Sequence, residues 1–355
     1  MEKFAFIIHP MDKSDVARKY KIANFLPESA VEWVVKRMEP KYVSHVTGVR
    51  SKTGTELEGW LVGCPLTARQ MLALDEGFVL DKITATAKLA QELGAGIVGL
   101  GAFTSVVGDA GVTIKAGVDI AVTSGNSYTV ATAVEGLFKA GDLMNAPADS
   151  VGAVVGAGGS IGKVCARLMA RRLPKLILID KNPDAVADVV ADLKQQGKCE
   201  VEVAPEVSTA LPQADLVIAV SSAAKAIVQA KDLKRGSVVC DVARPRDVSR
   251  RVVEERNDVL VIEGGMIAVP GEPDFGFNFG FPPGTAYACM SETMICALEG
   301  TYESYTLGRD LAIDQVERIG QLAQKHGFEL AGFRSFERKV EEDYIESVRR
   351  NAGRA

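Results

Sequence analysis

A glycine-rich turn between two apolar runs is the stretch whose residue types most clearly imply chemistry. An apolar run over residues 151–155 is followed by a turn with several glycines, after which apolar residues recur with the spacing of one helix face. Such glycines let the backbone approach a pyrophosphate, and the N-terminus of the helix attracts the anion. The turn therefore predicts a dinucleotide site, with an ordinary glycine-rich turn as the alternative. The predicted contacts are Gly156, Gly158, Gly159, Ser160, Ile161 and Gly162.

A second apolar run, over residues 175–179, ends at Asp180. A carboxylate at the end of this strand can accept hydrogen bonds from the adenosine ribose and repels a 2′-phosphate, so Asp180 favours NADH. Lys181 can partly offset that repulsion, which keeps NADPH open. Ligands of such sheets lie beyond the carboxyl ends of the strands. Further cofactor contacts are therefore predicted where later strands end, with plain loops as the alternative, at Ser221, Ser222, Ala243, Arg244 and Gly265.

Cys289 lies about one turn inside a helix that is predicted to begin near Gly284 or Thr285, after two prolines. The positive end of the helix dipole favours a thiolate, so this position predicts a lowered thiol pKa and a nucleophile. The alternative is a small buried hydrophobic residue, which is what most unpaired cysteines are. Cys296 lies two turns further along, where the dipole has little effect.

The composition of the 355 residues is that of a globular protein and argues against several classes of function. The chain is 47% hydrophobic and 25% charged, and its net charge of −5 gives no electrostatic footprint for nucleic acid or an anionic membrane. No apolar stretch is long enough to span a bilayer, and the N-terminal one is too short for a signal peptide. Six scattered cysteines and only three histidines predict free thiols, a cytoplasmic location and no metal site.

The order of predicted elements indicates an α/β fold. Residues 1–145 are predicted to form a smaller N-terminal α/β domain that binds substrate. Residues 146–270 alternate strands and helices and yield six strands, the number in a doubly wound, Rossmann-like parallel sheet. Residues 271–355 are predicted to hold an aromatic and glycine-rich loop, the helix with Cys289, an amphipathic helix and a charged, solvated tail.

Several motifs give the chain a resemblance to a known family. They are GAFTS at 101–105, SGNSYT at 124–129, VVGAGGSIGKVCARL at 154–168, YACMSETMICALEG at 287–300 and a later GRDLAIDQVERIG. From about residue 4 to 333 the chain resembles the cyanobacterial long-chain fatty acyl-(acyl-carrier-protein) reductases. The resemblance implies reduction of a fatty acyl thioester to an aldehyde, usually with NADPH, through an acylated cysteine that aligns with Cys289. It also implies acyl-carrier protein or acyl-CoA as acyl donor and an enzyme that consumes the aldehyde.

Candidate substrate contacts and two alternative functions complete the expectations. The substrate contacts are predicted at Phe103, Thr104, Asn126, Phe277 and Phe279, with core packing as the alternative for Phe277 and Phe279. One alternative function is a shikimate-dehydrogenase-like NAD(P)-dependent dehydrogenase of a small polar alcohol. Such an enzyme needs a base, for which Lys88 and Lys115 are candidates. The other alternative is a non-catalytic nucleotide-sensing protein.

Overall fold

The computed structural model describes residues 1–223, 225–264, 266–278, 280–336 and 338–354, without the side chain of Lys19. In chain order the strands are β1 (Glu2–Ile8), β2 (Lys41–Arg50), β3 (Glu56–Gly63), β4 (Ile97–Leu100), β5 (Ala121–Thr123), β6 (Val151–Val155), β7 (Lys175–Ile179), β8 (Glu200–Ala204), β9 (Leu216–Ala219), β10 (Val238–Asp241), β11 (Leu260–Glu263), β12 (Met266–Ala268), β13 (Gly271–Asp274), β14 (Thr285–Tyr287), β15 (Glu329–Leu330), β16 (Phe333–Ser335) and β17 (Arg338–Val340). The helices are α1 (Lys13–Lys19), α2 (Glu28–Arg37), α3 (Ala68–Ala73), α4 (Glu76–Glu92), α5 (Val112–Ala116), α6 (Asn126–Leu143), α7 (Ser160–Met169), α8 (Ala187–Gln196), α9 (Val207–Ala210), α10 (Arg251–Glu255), α11 (Ala288–Leu298), α12 (Ile313–His326) and α13 (Glu342–Asn351).

The chain divides into two compact units. Unit 1 comprises residues 1–128, 267–310 and 318–329, and unit 2 comprises residues 129–266, 311–317 and 330–355. Helices α6 and α12 each continue from one unit into the other. The predicted separate C-terminal region, residues 271–355, is therefore shared between the two units.

Unit 2 is built on the predicted doubly wound sheet. Its strand order is β11-β10-β9-β6-β7-β8, and every neighbouring pair is parallel. This is the order of a dinucleotide-binding fold, in which the crevice at the carboxyl ends of the two central strands, β6 and β9, receives the ligand. Buried apolar residues form a core on each face of the sheet. The predicted α/β fold class is confirmed.

Unit 1 contains a mixed sheet with the order β13-β2-β3-β1-β4-β5. Strands β3, β1, β4 and β5 are parallel, whereas β2 pairs antiparallel with β3 through the turn that the sequence predicts. Helix α4 packs on one face of the parallel strands and α11 on the other. Almost every residue of α11 is buried, and the buried set includes the polar residues Ser291, Glu292 and Thr293.

The end of the chain is structured, contrary to the predicted solvated tail. Strands β16 and β17 form an antiparallel hairpin, and α13 follows. Ile345 and Val348, one helical turn apart, are buried in the core of unit 2, so one face of α13 contributes to that core. Among the residues that the structure describes, every helix is too short or too polar to cross a membrane.

Candidate active site

The turn after β6 is held in a conformation that only glycine adopts easily. Gly156 has φ of +81°, and a Cβ at this position would lie 2.7 Å from the Cα of Ser221. The turn after β6 therefore packs directly on the residues that follow β9, at the crevice between the two central strands. The structure thus brings together two segments that are predicted from sequence to contact the cofactor.

Gly159 has a different reason to be glycine. Its backbone is extended, with φ of −73° and ψ of 160°, and a Cβ there would meet only the carbonyl oxygen of Gly156, at 3.4 Å. Any residue could therefore occupy this position in the protein alone. Gly159 is also the N-cap of α7, and it has no side chain to cover the N–H groups of the first turn. This open space at a helix N-terminus fits the pyrophosphate of a dinucleotide.

Asp180 is joined to the glycine turn by hydrogen bonds. Its Oδ2 accepts the N–H of Gly158 at 2.9 Å, and its Oδ1 accepts the N–H of Asn182 at 3.0 Å. Both bonds fix the carboxylate at the carboxyl end of β7, which suits a group that accepts hydrogen bonds from a ribose. Lys181 is exposed beside it. The residues present therefore fit NADH or NADPH.

The remaining predicted cofactor contacts lie at the same edge of the unit 2 sheet. Ser221 is partly buried and Ser222 is exposed, shortly after β9. Ala243 is buried, and the Arg244 guanidinium donates to the Ala243 carbonyl at 2.7 Å and lies 3.8 Å from Glu263. Gly265 lies outside the described residues.

Two buried aspartates lie at this edge: Asp241 belongs to the segment 241–244 that the sequence predicts near the nicotinamide, whereas Asp247 had no predicted role. Asp241 ends β10, and Asp247 belongs to the loop that follows; both are fully or almost fully buried. Burial raises the pKa of Asp241 to about 6 and also raises the pKa of Asp247. The signal available in sequence was an Asp at the end of an apolar strand, followed closely by a second Asp.

A histidine that sequence reasoning missed lies at the carboxyl edge of the unit 1 sheet. His9 follows β1, and its Nε2 accepts the backbone N–H of Phe103 at 3.2 Å. The ring proton therefore resides on Nδ1, which donates to the Pro10 carbonyl at 3.1 Å. Burial lowers the pKa of His9 to about 4, so the ring is neutral at physiological pH. A histidine between an apolar strand and a proline was the available signal.

The same edge of unit 1 holds a buried carboxylate network around Glu292 on α11. The Thr123 and Thr306 hydroxyls donate to its Oε1 at 2.5 and 2.9 Å, and the N–H of Tyr128 donates to its Oε2 at 2.7 Å. Burial raises the pKa of Glu292, which is fully shielded from solvent. The network ties the loop after β5 to α11.

Cys289 does not have the environment that its predicted role requires. Helix α11 begins at Ala288, so Cys289 is its second residue rather than one turn inside. Gly125 lies against it, since a Cβ on Gly125 would be 2.2 Å from the Cβ of Cys289. Burial, reinforced by the charge of Glu292, raises the pKa of the Cys289 thiol to about 12. The predicted lowering of the pKa is wrong because removal from water outweighs the helix dipole.

The predicted substrate contacts lie in several places. Thr104 is fully buried and donates to the Gly101 carbonyl, and Phe103 packs edge-to-face on His9. Asn126 begins α6 and is partly buried. Phe277 follows the edge strand β13, which pairs with β2, and a Cβ on Gly276 would lie 3.0 Å from the His45 carbonyl of β2.

Three further sequence candidates can be placed or set aside. Phe279 lies outside the described residues. Lys88 is exposed on α4, and Lys115 donates to backbone carbonyls just before β5. Both lysines precede parallel strands and therefore lie towards the amino ends of the sheet, away from His9. Neither is a base for the carboxyl edge of unit 1.

A family model and a curated relative match the chain. The model of the shikimate / quinate 5-dehydrogenases matches residues 141–263, which cover the sheet of unit 2. Aminotransferase PigE of Serratia sp. (strain ATCC 39006) is 30% identical over 362 aligned positions, which cover 98% of this chain and 42% of PigE. The chain therefore spans about two fifths of the length of that curated relative.

Solved structures show similarity at low identity. L-tryptophan dehydrogenase from Nostoc punctiforme is 13% identical with a TM-score of 0.39, over 100% of this chain and 89% of that chain. The iminosuccinate reductase of Paracoccus denitrificans is 13% identical with a TM-score of 0.31, over 57% of this chain and 64% of that chain. Identities this low do not carry a function from one protein to another.

These findings correct the resemblance drawn from the sequence. A dehydrogenase model covers the nucleotide-binding region and the curated relative is an aminotransferase, so the assignment to the fatty acyl-(acyl-carrier-protein) reductases is wrong. The predicted reduction of a fatty acyl thioester through a cysteine nucleophile is wrong with it. The implied acyl donors and aldehyde-consuming enzyme stay untested predictions. The match to a dehydrogenase model and the strand order of unit 2 identify this unit as the binding unit for NADH or NADPH.

Proposed function

We propose that the chain catalyses reversible hydride transfer between NAD(P)H and a small polar alcohol or the corresponding carbonyl compound. The observation that carries this proposal is the match of the shikimate / quinate 5-dehydrogenase model to residues 141–263, on a sheet with the strand order of dinucleotide-binding folds. The relevant alternative from sequence, a shikimate-dehydrogenase-like enzyme, agrees with this match.

The nucleotide is assigned to unit 2 on the geometry of the glycine turn. The pyrophosphate binds at the first turn of α7, in the space that Gly159 leaves free because it has no side chain. Asp180 accepts hydrogen bonds from the ribose hydroxyls. When bound, NADH or NADPH supplies the hydride. The residues of unit 2 bind and orient the nucleotide.

The substrate is assigned to the carboxyl edge of the unit 1 sheet. Polar groups collect there on the segments that follow β1, β4 and β5, which is the edge where ligands of parallel sheets bind. Asn126 and Cys289 are the partly exposed polar residues among the predicted site residues at this edge. With a pKa of about 12, Cys289 faces a substrate as a neutral thiol rather than as a thiolate. Neutral groups of this kind suit an uncharged hydroxyl or carbonyl.

A substrate screen tests the proposal. Purified protein is incubated with NADH or NADPH and a panel of small keto acids and cyclic keto alcohols, and nicotinamide absorbance is followed. The reverse reaction uses hydroxy acids with the oxidised cofactors. We expect turnover with at least one small polar compound. Nucleotide binding without turnover of any panel member would favour the nucleotide-sensing alternative instead.

A variant of the glycine turn distinguishes turnover by this protein from turnover by a contaminating enzyme. Gly159→Val places a branched side chain in the open space at α7 and is expected to abolish turnover. Activity that persists in this variant would come from another protein in the preparation or from a different nucleotide site.

A further inference from the structure

The loop that follows β9 is fastened at both ends by one buried residue. The Asp247 side chain accepts from Ser221, its Oδ2 from the backbone N–H at 2.7 Å and its Oδ1 from the hydroxyl at 2.5 Å. The backbone carbonyl of Asp247 accepts the N–H groups of Ile227 and Val228, at 2.8 and 2.9 Å. Asp247 thus holds the first residue and the last two residues of the segment 221–228.

The backbone at Asp247 is in turn fixed by hydrogen bonds to the Asp241 carboxylate. The Oδ2 of Asp241 accepts the N–H of Val248 at 2.9 Å, and its Oδ1 accepts the N–H groups of Ala243 and Asp247 at 3.1 and 3.4 Å. Both aspartates are at most 1% exposed. The two carboxylates restrain residues 243–248 and Ser221, because a displacement of these residues would leave N–H groups unpaired.

Ser221 transmits this restraint to the glycine turn. Gly156 packs on Ser221 so closely that no Cβ fits between them. The Ser221 hydroxyl donates to Asp247 and also accepts the N–H of Ala223 at 3.1 Å. Its only hydrogen is therefore engaged within the protein, and the hydroxyl cannot donate to a ligand. If Ser221 contacts the cofactor as predicted, its hydroxyl can only accept a hydrogen bond from it.

We infer that Asp247 is a positioning residue for the dinucleotide: by holding Ser221 against the glycine turn, and by binding the N–H groups of Ile227 and Val228 further along, it shapes one wall of the crevice between β6 and β9. This inference rests on the assignment of the nucleotide to unit 2. Asp247 contacts Ser221 rather than the ligand, so it acts through the loop and is not a catalytic residue.

Asp215 offers a matched control at the opposite edge of the same sheet. It precedes β9 and is 2% exposed, and its Oδ2 accepts the N–H of Val151 at 3.2 Å. Lys234 and Arg354 also donate to this carboxylate, both at 2.9 Å. Asp215 is therefore a comparably buried hydrogen-bonding aspartate in unit 2, but it lies at the amino end of the strands.

The experiment compares NADH and NADPH affinities of Asp247→Asn, Asp215→Asn, Ser221→Ala and the double variant Asp247→Asn/Ser221→Ala, measured by nucleotide fluorescence on the whole folded chain. An asparagine has one accepting oxygen and no charge, so Asp247→Asn can accept only one of the two bonds that Ser221 donates, and it accepts that one without charge assistance. We expect its Kd to rise about tenfold, the effect of one hydrogen bond to a charged acceptor. Asp215→Asn should unfold at lower urea concentration with unchanged Kd.

The double variant supplies the test of coupling. Asp247 and Ser221 act through one contact. The fold-increase in Kd of the double variant should therefore be close to that of Asp247→Asn and far smaller than the product of the two single-variant increases. Equal Kd values for wild type and Asp247→Asn, or fully multiplicative effects in the double variant, would overturn the inference alone. A wild type that binds neither nucleotide would overturn the nucleotide assignment and the inference together.

Discussion

The raised pKa of Asp241 gives a prediction with a definite sign and size. The pKa rises from 3.8 to about 6, a difference of about 2 units, because burial disfavours the charged form. A carboxyl group whose pKa is higher in the folded state stabilises the fold fully below its unfolded pKa and loses that contribution as pH rises through 6. At about 1.4 kcal/mol per unit, the total change is about 3 kcal/mol. Between pH 8 and pH 5 about half of it is recovered.

Urea unfolding at several pH values measures this contribution in wild type and in Asp241→Asn. Other carboxyl groups, such as Asp188 and Asp258, have lowered pKa values and act in the opposite direction, so the difference between the two proteins is the relevant quantity. From pH 8 to pH 5, wild type should gain about 1.5 kcal/mol relative to Asp241→Asn. Parallel stability curves for the two proteins would refute the reasoning that Asp241 titrates near pH 6.

Three further predictions concern single residues. Cys289, the partly exposed cysteine, should react with iodoacetamide at pH 8 more slowly than a free thiol. Cys289→Ser measures the labelling of the other cysteines and is subtracted, and fast labelling of Cys289 would contradict its raised pKa. Asp180→Ser should shift the ratio of NADPH to NADH affinity towards NADPH, and an unchanged ratio would remove Asp180 as the selectivity determinant. Glu292→Leu should lower the free energy of unfolding by about 3 kcal/mol or more, because buried donors lose their acceptor; urea unfolding within error of wild type would show that the network is dispensable.

The nucleotide-binding sheet was predictable because its signals are local. Each of the six strands is a short apolar run, and the glycines, the helix spacing and Asp180 all lie within about thirty residues of one another. The structure confirms these strands in the predicted order of elements. Local patterns of this kind also place the turn between β2 and β3.

The features that sequence reasoning missed depend on contacts between distant segments. His9 is neutral because its ring is shielded from water and accepts the N–H of Phe103, and Asp247 acquires its role from Ser221. Neither partner can be deduced from periodicity. The pKa of Cys289 was predicted with the wrong sign, because a helix start is visible in sequence whereas burial is not. Similarly, the charged C-terminal segment conceals two apolar residues on one face of α13, Ile345 and Val348.

Binding of NADH and NADPH to Gly159→Val tests the central claim most directly. The control is Gly320→Val on α12, away from the glycine turn in sequence. A Cβ on Gly320 would have no neighbour within 4 Å, and the φ of Gly320 is not positive, so valine fits there without strain. Both variants should fold, because a Cβ on Gly320 meets nothing and a Cβ on Gly159 makes only an ordinary contact with the Gly156 carbonyl oxygen. We predict that Gly320→Val binds the nucleotide like wild type and that Gly159→Val does not bind it. Wild-type affinity in a folded Gly159→Val would contradict the assignment of the pyrophosphate to this turn.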